Sequence, residues 1–102
     1  MPKYSESVYY SPEAFGLSVI ATEREPDLSY QFNIFSIWQD NETGRYFFGS
    51  DRGCSCPTPF EKVEHKSQLP EGTLEDAKRA LQTWRDSWEE SRRQREAWLN
   101  EV

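Results

Sequence analysis

Cys54 and Cys56, one residue apart, and His65, the single histidine, are the side chains here whose types could do chemistry. Three soft donors suggest zinc, which takes Cys and His in a closed tetrahedron when its role is structural. The fourth ligand would have to be Asp51 or Glu61, and a Cys-x-Cys gap is shorter than the two to four intervening residues usual in zinc sites. The same thiols permit redox chemistry: a bridge across one residue closes with strain and is easily reduced, and the neighbouring Arg52 favours the thiolate. A cysteine nucleophile with His65 as base is a third option. Nothing in the spacing brings base and thiol together, and there is no Ser/His/Asp arrangement, phosphate-cradling glycine loop or paired metal motif. The pattern favours small buried thiols at a tight turn. It indicates no catalytic residues and no cofactor, with zinc on Cys54, Cys56 and His65 as the alternative.

The segment that carries the thiols, Asp51 to Glu61, reads as neither helix nor central strand. Pro57-Thr58-Pro59 holds an extended path, and Phe60 follows as an anchor for the loop. Were Phe35, Ile37 and Phe47 to face away from the helix, this stiff loop would be their natural cover.

The elements that must position the loop are legible on either side of it. Ser11-Pro12-Glu13 starts a helical turn, with Ser as cap and Pro at the first position, and Gly16 ends it after about one turn. Leu17, Val19 and Ala21 alternate with Ser18, Ile20 and Thr22, the period of a strand with one apolar face. Glu23 to Ser29 is a connecting loop. Tyr30 to Gln39 is the strongest strand. Tyr30, Phe32, Ile34 and Trp38 share one face and Gln31, Asn33, Phe35 and Ile37 the other. Its second half is therefore apolar on both sides, from a bulge near Ile34-Phe35 or from a central strand covered twice. Asp40 to Gly44 forms a hairpin loop, and Arg45 to Gly49 returns. Thr73-Leu74-Glu75-Asp76 is a loose capping box, after which no Pro or Gly interrupts a helix as far as Asn100. Leu74, Ala77, Leu81, Trp84 and Trp88 form its apolar stripe. Ser91, Arg92 and Arg95 interrupt that face, and Trp98, Leu99 and Val102 restore it. Arg92, Arg93 and Arg95 lie among Glu89, Glu90 and Glu96, as on a salt-bridged helix surface.

These elements specify α+β: a three-stranded antiparallel β-meander packed against one long C-terminal helix. One domain is expected over residues 1–102, with an arm at 1–10, the meander at 11–50, the Cys/Pro loop and connector at 51–72 and the helix at 73–101. Four tryptophans, five tyrosines and six phenylalanines supply the core.

The formal net charge is −6. Residues 1–51 carry three Lys/Arg against eight Asp/Glu, and residues 52–102 nine against ten. Such a chain repels phosphate backbones, which argues against direct nucleic-acid binding. Its carboxylates are scattered over several loops rather than ranked like phosphates, so an acidic DNA-mimic inhibitor is the third-placed reading. No apolar run resembles a signal peptide or membrane span. A reducing cytoplasm is the expected setting, with Cys54 and Cys56 as thiols.

Ser11-Pro12-Glu13-Ala14-Phe15-Gly16-Leu17, Trp38-Gln39-Asp40, Gly44-Arg45-Tyr46-Phe47 and Asp51-x-Gly-Cys-Ser-Cys-Pro-x-Pro-Phe-Glu61 together resemble a group of small uncharacterised proteins from bacteriophages of actinobacteria. The resemblance covers residues 11–61 and supplies no activity. It implies a phage accessory protein in the cytoplasm of an infected bacterial host. The expected function is non-enzymatic binding of a host or phage protein. The expected surfaces are Trp98, Leu99 and Val102 at the helix end and Pro57, Pro59 and Phe60 in the loop, with self-association through the helix end as a further expectation.

Overall fold

A computed structural model describes residues 7–28, 30–54 and 59–101, with side chains described throughout except at Cys54 and 98–101. Among these residues four antiparallel strands lie in the order β1 (Leu17–Arg24), β2 (Gln31–Asp40), β3 (Tyr46–Cys54) and β4 (Glu71–Gly72), followed by one helix, α1 (Leu74–Glu101). The class and the long C-terminal helix are as expected. The sheet has one strand more than expected, because Glu71 and Gly72 pair with Phe47 and Tyr46 on the way into the helix. Two residues are too few to show a strand period, so the sequence carries no sign of β4.

Local chemistry sets the ends of the elements. The 3-10 turn Pro12–Phe15 closes on Gly16 at φ 73°, a left-handed cap that glycine adopts without strain. At the start of α1, Thr73 Oγ1 accepts the Asp76 N–H at 3.2 Å and Asp76 Oδ2 accepts the Thr73 N–H at 3.0 Å, the reciprocal bonds of a capping box.

β2 is the strand that organises the molecule. Its alternation runs unbroken against β3 from Gln31 to Gln39, so there is no bulge at Ile34-Phe35. The bulge lies instead in β1, where the register slips between Val19 and Ala21. That slip turns Ala21 to the face of Ile37 and Glu23 to the face of Phe35, and it leaves Val19 and Ile20 half exposed. The expected common side for Leu17, Val19 and Ala21 therefore breaks at Ile20. Tyr30, expected within the strand, precedes it at φ 60° and is 84% exposed.

Each face of β2 has its own core. On one side Phe32, Ile34 and Trp38 join Leu17 and Phe47 under Val8, Phe60 and Leu69, with Tyr9, Phe15 and Val63 at the margin. On the other side Phe35 and Ile37 lie with Tyr46 and Phe48 under Ala77, Ala80, Leu81, Trp84 and Trp88. The covers are thus exchanged relative to expectation. The helix takes the Phe35 face, while the loop takes the Trp38 face together with Ser7 to Tyr10. Phe47 belongs to the loop face because it stands opposite Trp38 in the ladder. Both faces are apolar, so the pattern alone could not assign a cover to either.

β3 also runs four residues beyond the expected end of the meander, through Gly53 to Cys54. A Cβ added at Gly53 would sit 3.1 Å from Phe32 Cζ, so the ring occupies the space that the missing side chain leaves.

The connector is tied down at Asp40. Its Oδ1 accepts the N–H groups of Glu42 (2.8 Å) and Thr43 (3.2 Å), shaping the hairpin loop, and Lys66 Nζ donates to its Oδ2 at 2.5 Å. The Asp40 side chain is 3% exposed. The Lys66 ammonium, followed by the two backbone donors, holds the Asp40 carboxyl below its ordinary range, and Asp40 in turn raises Lys66.

Trp38 is fully buried and meets Phe60 edge to face at 5.2 Å. Replacing it by alanine should cost about 3–5 kcal/mol, a large share of the roughly 5–15 kcal/mol available to a domain, and urea denaturation reads the loss. Acid provides a second test. A carboxyl depressed in the folded state stabilises at pH above the ordinary carboxylate range and loses that contribution as pH falls through its folded value. Thermal stability should therefore fall as pH drops below about 4. Asp40→Asn should flatten part of that slope, leaving the part due to Glu23 and Asp76, which are also depressed.

Candidate functional site

The residues singled out by sequence do not assemble into one site. Pro59 and Phe60 are buried. Ser7 Oγ donates to the Pro59 carbonyl at 2.8 Å, and the Phe60 N–H donates to Asp51 Oδ2 at 2.7 Å. Phe60 takes φ 61° and puts its ring between Trp38 and Tyr9, whose ring stacks on it at 6.3 Å. That conformation is unusual for a bulky residue, and the two hydrogen bonds beside it hold the chain there. Phe60 is the anchor of the loop, buried apart from the little surface it shows to the recess described below. Cys56, Pro57 and Val102 lie outside the described residues, as do the side chains of Cys54, Trp98 and Leu99. His65 is exposed ahead of the 3-10 turn Lys66–Gln68, and its backbone N–H donates to Gln68 Oε1 at 2.9 Å. Among the described residues no three His, Cys, Asp or Glu side chains are grouped so as to hold a metal ion, and no helix is long and apolar enough to cross a membrane.

The structure offers a different feature, a groove along the outer edge of β3. β4 pairs only with Tyr46 and Phe47, and the Phe48 N–H donates to the Pro70 carbonyl at 3.1 Å. N–H and C=O groups alternate sides along an antiparallel strand, so those of Ser50 and Arg52 also point outward, away from β2. The Arg52 N–H is taken up by Asp51 Oδ1 at 2.9 Å. Among the described residues the Ser50 N–H and C=O and the Arg52 C=O have no backbone partner. Over this edge lies an open recess of about 990 Å³, walled by the connector at Phe60, Leu69 and Pro70 and by α1 at Ala80, Thr83 and Trp84. A second recess of about 480 Å³ shares Phe32, Asn33 and Arg52 with it and continues along α1 past Trp88 and Ser91 to Arg95.

The helical wall is fixed to β1 and the β1–β2 loop by a run of polar contacts. The Arg85 guanidinium donates two bonds of 2.6 Å to Glu23, and this pairing keeps the Glu23 carboxyl below its ordinary range. Buried Trp84 donates its indole N–H to Asn33 Oδ1 at 3.0 Å, and Asn33 Nδ2 donates to Glu25 at 3.0 Å. Arg92 reaches off the helix to the Pro26 carbonyl (2.7 Å), Glu25 (3.4 Å) and Asp27 (3.5 Å), with its guanidinium 5.3 Å from the centre of the Trp88 ring. Arg93 keeps the expected pairing within the helix, to Glu90 at 2.8 Å. Sequence reasoning missed the role of Arg92. The signal was its position, one turn beyond Trp88 on the stripe that otherwise meets the sheet.

The first recess is lined by both signs, Asp51 and Glu61 with Arg52 and Lys62, whereas the second carries unbalanced charge. Arg52 and Arg95 both line the second recess, and neither has a carboxylate within ion-pair distance among the described residues. Glu25, the acid among the residues lining that recess, is engaged by Asn33 and Arg92.

Comparison with known protein families finds a match to the domain of unknown function DUF7574 over residues 6–100. No curated protein and no solved structure shows significant similarity to the chain.

Arg92 gives the wall a specific test. Arg92→Ala should speed amide hydrogen exchange over residues 89–97 about tenfold while leaving the slowest-exchanging β2 amides unchanged, since it removes a local tie and not a core contact.

Proposed function

The chain belongs to the DUF7574 family, whose description assigns no activity, and we propose that it is a non-enzymatic binding protein whose partner is another protein. The observation that carries this reading is the groove, where unpaired strand backbone, apolar side chains and unmatched arginines face solvent together. Folded domains normally blunt or cover such an edge, and apolar surface left open beside it marks interaction sites. His65 lines neither recess, so the groove wall lacks the one side chain that sequence offers as a general base. A net charge of −6 favours a protein partner over a nucleic acid. The phage-like signature over residues 11–61 supports a setting in the cytoplasm of an infected bacterium and a host or phage protein as the partner. The helix end at Trp98, Leu99 and Val102 is a second contact region in the same reading, through which copies of the chain could also associate.

Site-specific photocrosslinking tests the proposal. Benzoylphenylalanine placed at Thr83, on the groove wall, should give a discrete light-dependent adduct with a second protein in infected cells. The same group at Glu13, on the exposed 3-10 turn, should give none. Absence of an adduct at Thr83, or equal adducts at both positions, rejects the groove as the binding surface.

A further inference from the structure

The geometry of the groove specifies the chemical class of its occupant, an inference that rests on the proposed binding function. We propose that the groove receives an extended, acid-containing peptide segment of the partner protein as a short strand added antiparallel to β3. An acidic side chain of that segment seats between Arg52 and Arg95.

Four observations lead there. First, the edge already accepts a strand: β4 pairs with Tyr46 and Phe47, and then Pro70 turns the chain away. An incoming segment continues the row that β4 begins, exchanging hydrogen bonds with the Ser50 N–H and C=O and donating to the Arg52 C=O. Second, the dimensions agree. From Ala80 to Arg95 the helical wall rises about 22 Å at 1.5 Å per residue, and six or seven extended residues cover about the same distance. Third, the wall has the width for a strand. Thr83, Ser87 and Ser91 are small, while Phe48, Trp84 and Leu69 offer apolar surface to alternate side chains. Fourth, the charge is complementary. In the second recess the lining Glu25 is paired with Arg92, so Arg52 and Arg95 leave that recess locally positive on an acidic protein, and a carboxylate is the group that satisfies it. The same net charge disfavours a second copy of this chain as the occupant.

The test is selection of a random dodecapeptide display library on the purified full chain. The enriched sequences are then synthesised and titrated by fluorescence anisotropy. Enriched peptides should contain Asp or Glu. Their affinity should fall about tenfold or more with Ser50→Pro, which removes one outward N–H without touching the ladder to β2, and by a similar factor with Arg52→Glu plus Arg95→Glu. Arg24→Glu plus Lys78→Glu, an equal charge change at exposed positions outside both recesses, should leave affinity unchanged. Ser87→Trp, an exposed helix position, should block binding by filling the groove, and circular dichroism confirms that each variant is folded. Peptides that bind but ignore the Ser50, Ser87 and arginine variants overturn strand addition while leaving the binding function standing. A light-dependent adduct at Thr83 with no enriched peptide also overturns it, since the partner is then not an extended segment. A mass that rises with concentration in the unmodified chain but not in Ser87→Trp overturns it in favour of a second copy. Failure of both peptide selection and photocrosslinking overturns the binding function itself.

Discussion

β2 must lose water from both of its faces, and the rest of the structure depends on that constraint. Its even-numbered residues include Phe32, Ile34 and Trp38, its odd-numbered ones Phe35 and Ile37, and all five are buried. A strand of this kind is stable only with a layer on each side. A domain this small has one helix to spend on the task. The second layer is made from irregular chain: Val8 and Tyr9 from the N-terminal side, Phe60 and Leu69 from the connector. Phe60, the aromatic anchor of that layer, is held by the bond from its N–H to Asp51 and by the Ser7 bond to the Pro59 carbonyl rather than by a helix behind it.

The two covers are held by different physics. α1 packs through a conventional apolar stripe, and its polar contacts run along one flank, from Arg85 with Glu23 to Arg92 with Glu25, Pro26 and Asp27. The irregular cover has little regular backbone pairing of its own. It relies on single long-range bonds at defined points: Ser7 to Pro59, Phe60 to Asp51 and Lys66 to Asp40. The first two lie where Val8 and Phe60 enter the core. Buried polar groups need partners, and the partners available here also set the path of the loop.

The groove is the place where these two layers fail to meet. β3 is nine residues long and β4 only two. Beyond the Phe48–Pro70 bond the β3 edge has no neighbouring strand among the described residues, so Phe60 and Leu69 from one core and Trp84 from the other line a common opening. Asp51 closes part of the edge by taking the Arg52 N–H. Among the described residues Ser50 has no backbone partner, and the proposed binding function rests on that opening rather than on the thiols that stand out in the sequence.

How much of this was legible in advance follows the range of the interactions involved. The helix, its Thr73 cap and its Leu74-to-Trp88 stripe, the hairpin at Asp40 to Gly44 and the double apolar character of β2 were all legible, because periods and caps involve residues a few positions apart. Apolar residues on both faces of β2 fit a bulge and a double cover equally well; the ladder shows the double cover, and the bulge in β1 was not expected. Tertiary structure alone decided which cover lies on which face, that Glu71-Gly72 forms a strand, and that Arg92 leaves the helix to bind the β1–β2 loop. Those outcomes turn on contacts such as Trp84 with Asn33, 51 residues apart, and Arg85 with Glu23, 62 apart. The sequence by itself determined the elements, because their energetics are local. The tertiary structure decided the groove, because the open stretch of β3 is defined only by where β4 stops pairing and where α1 and the connector come to lie beside it.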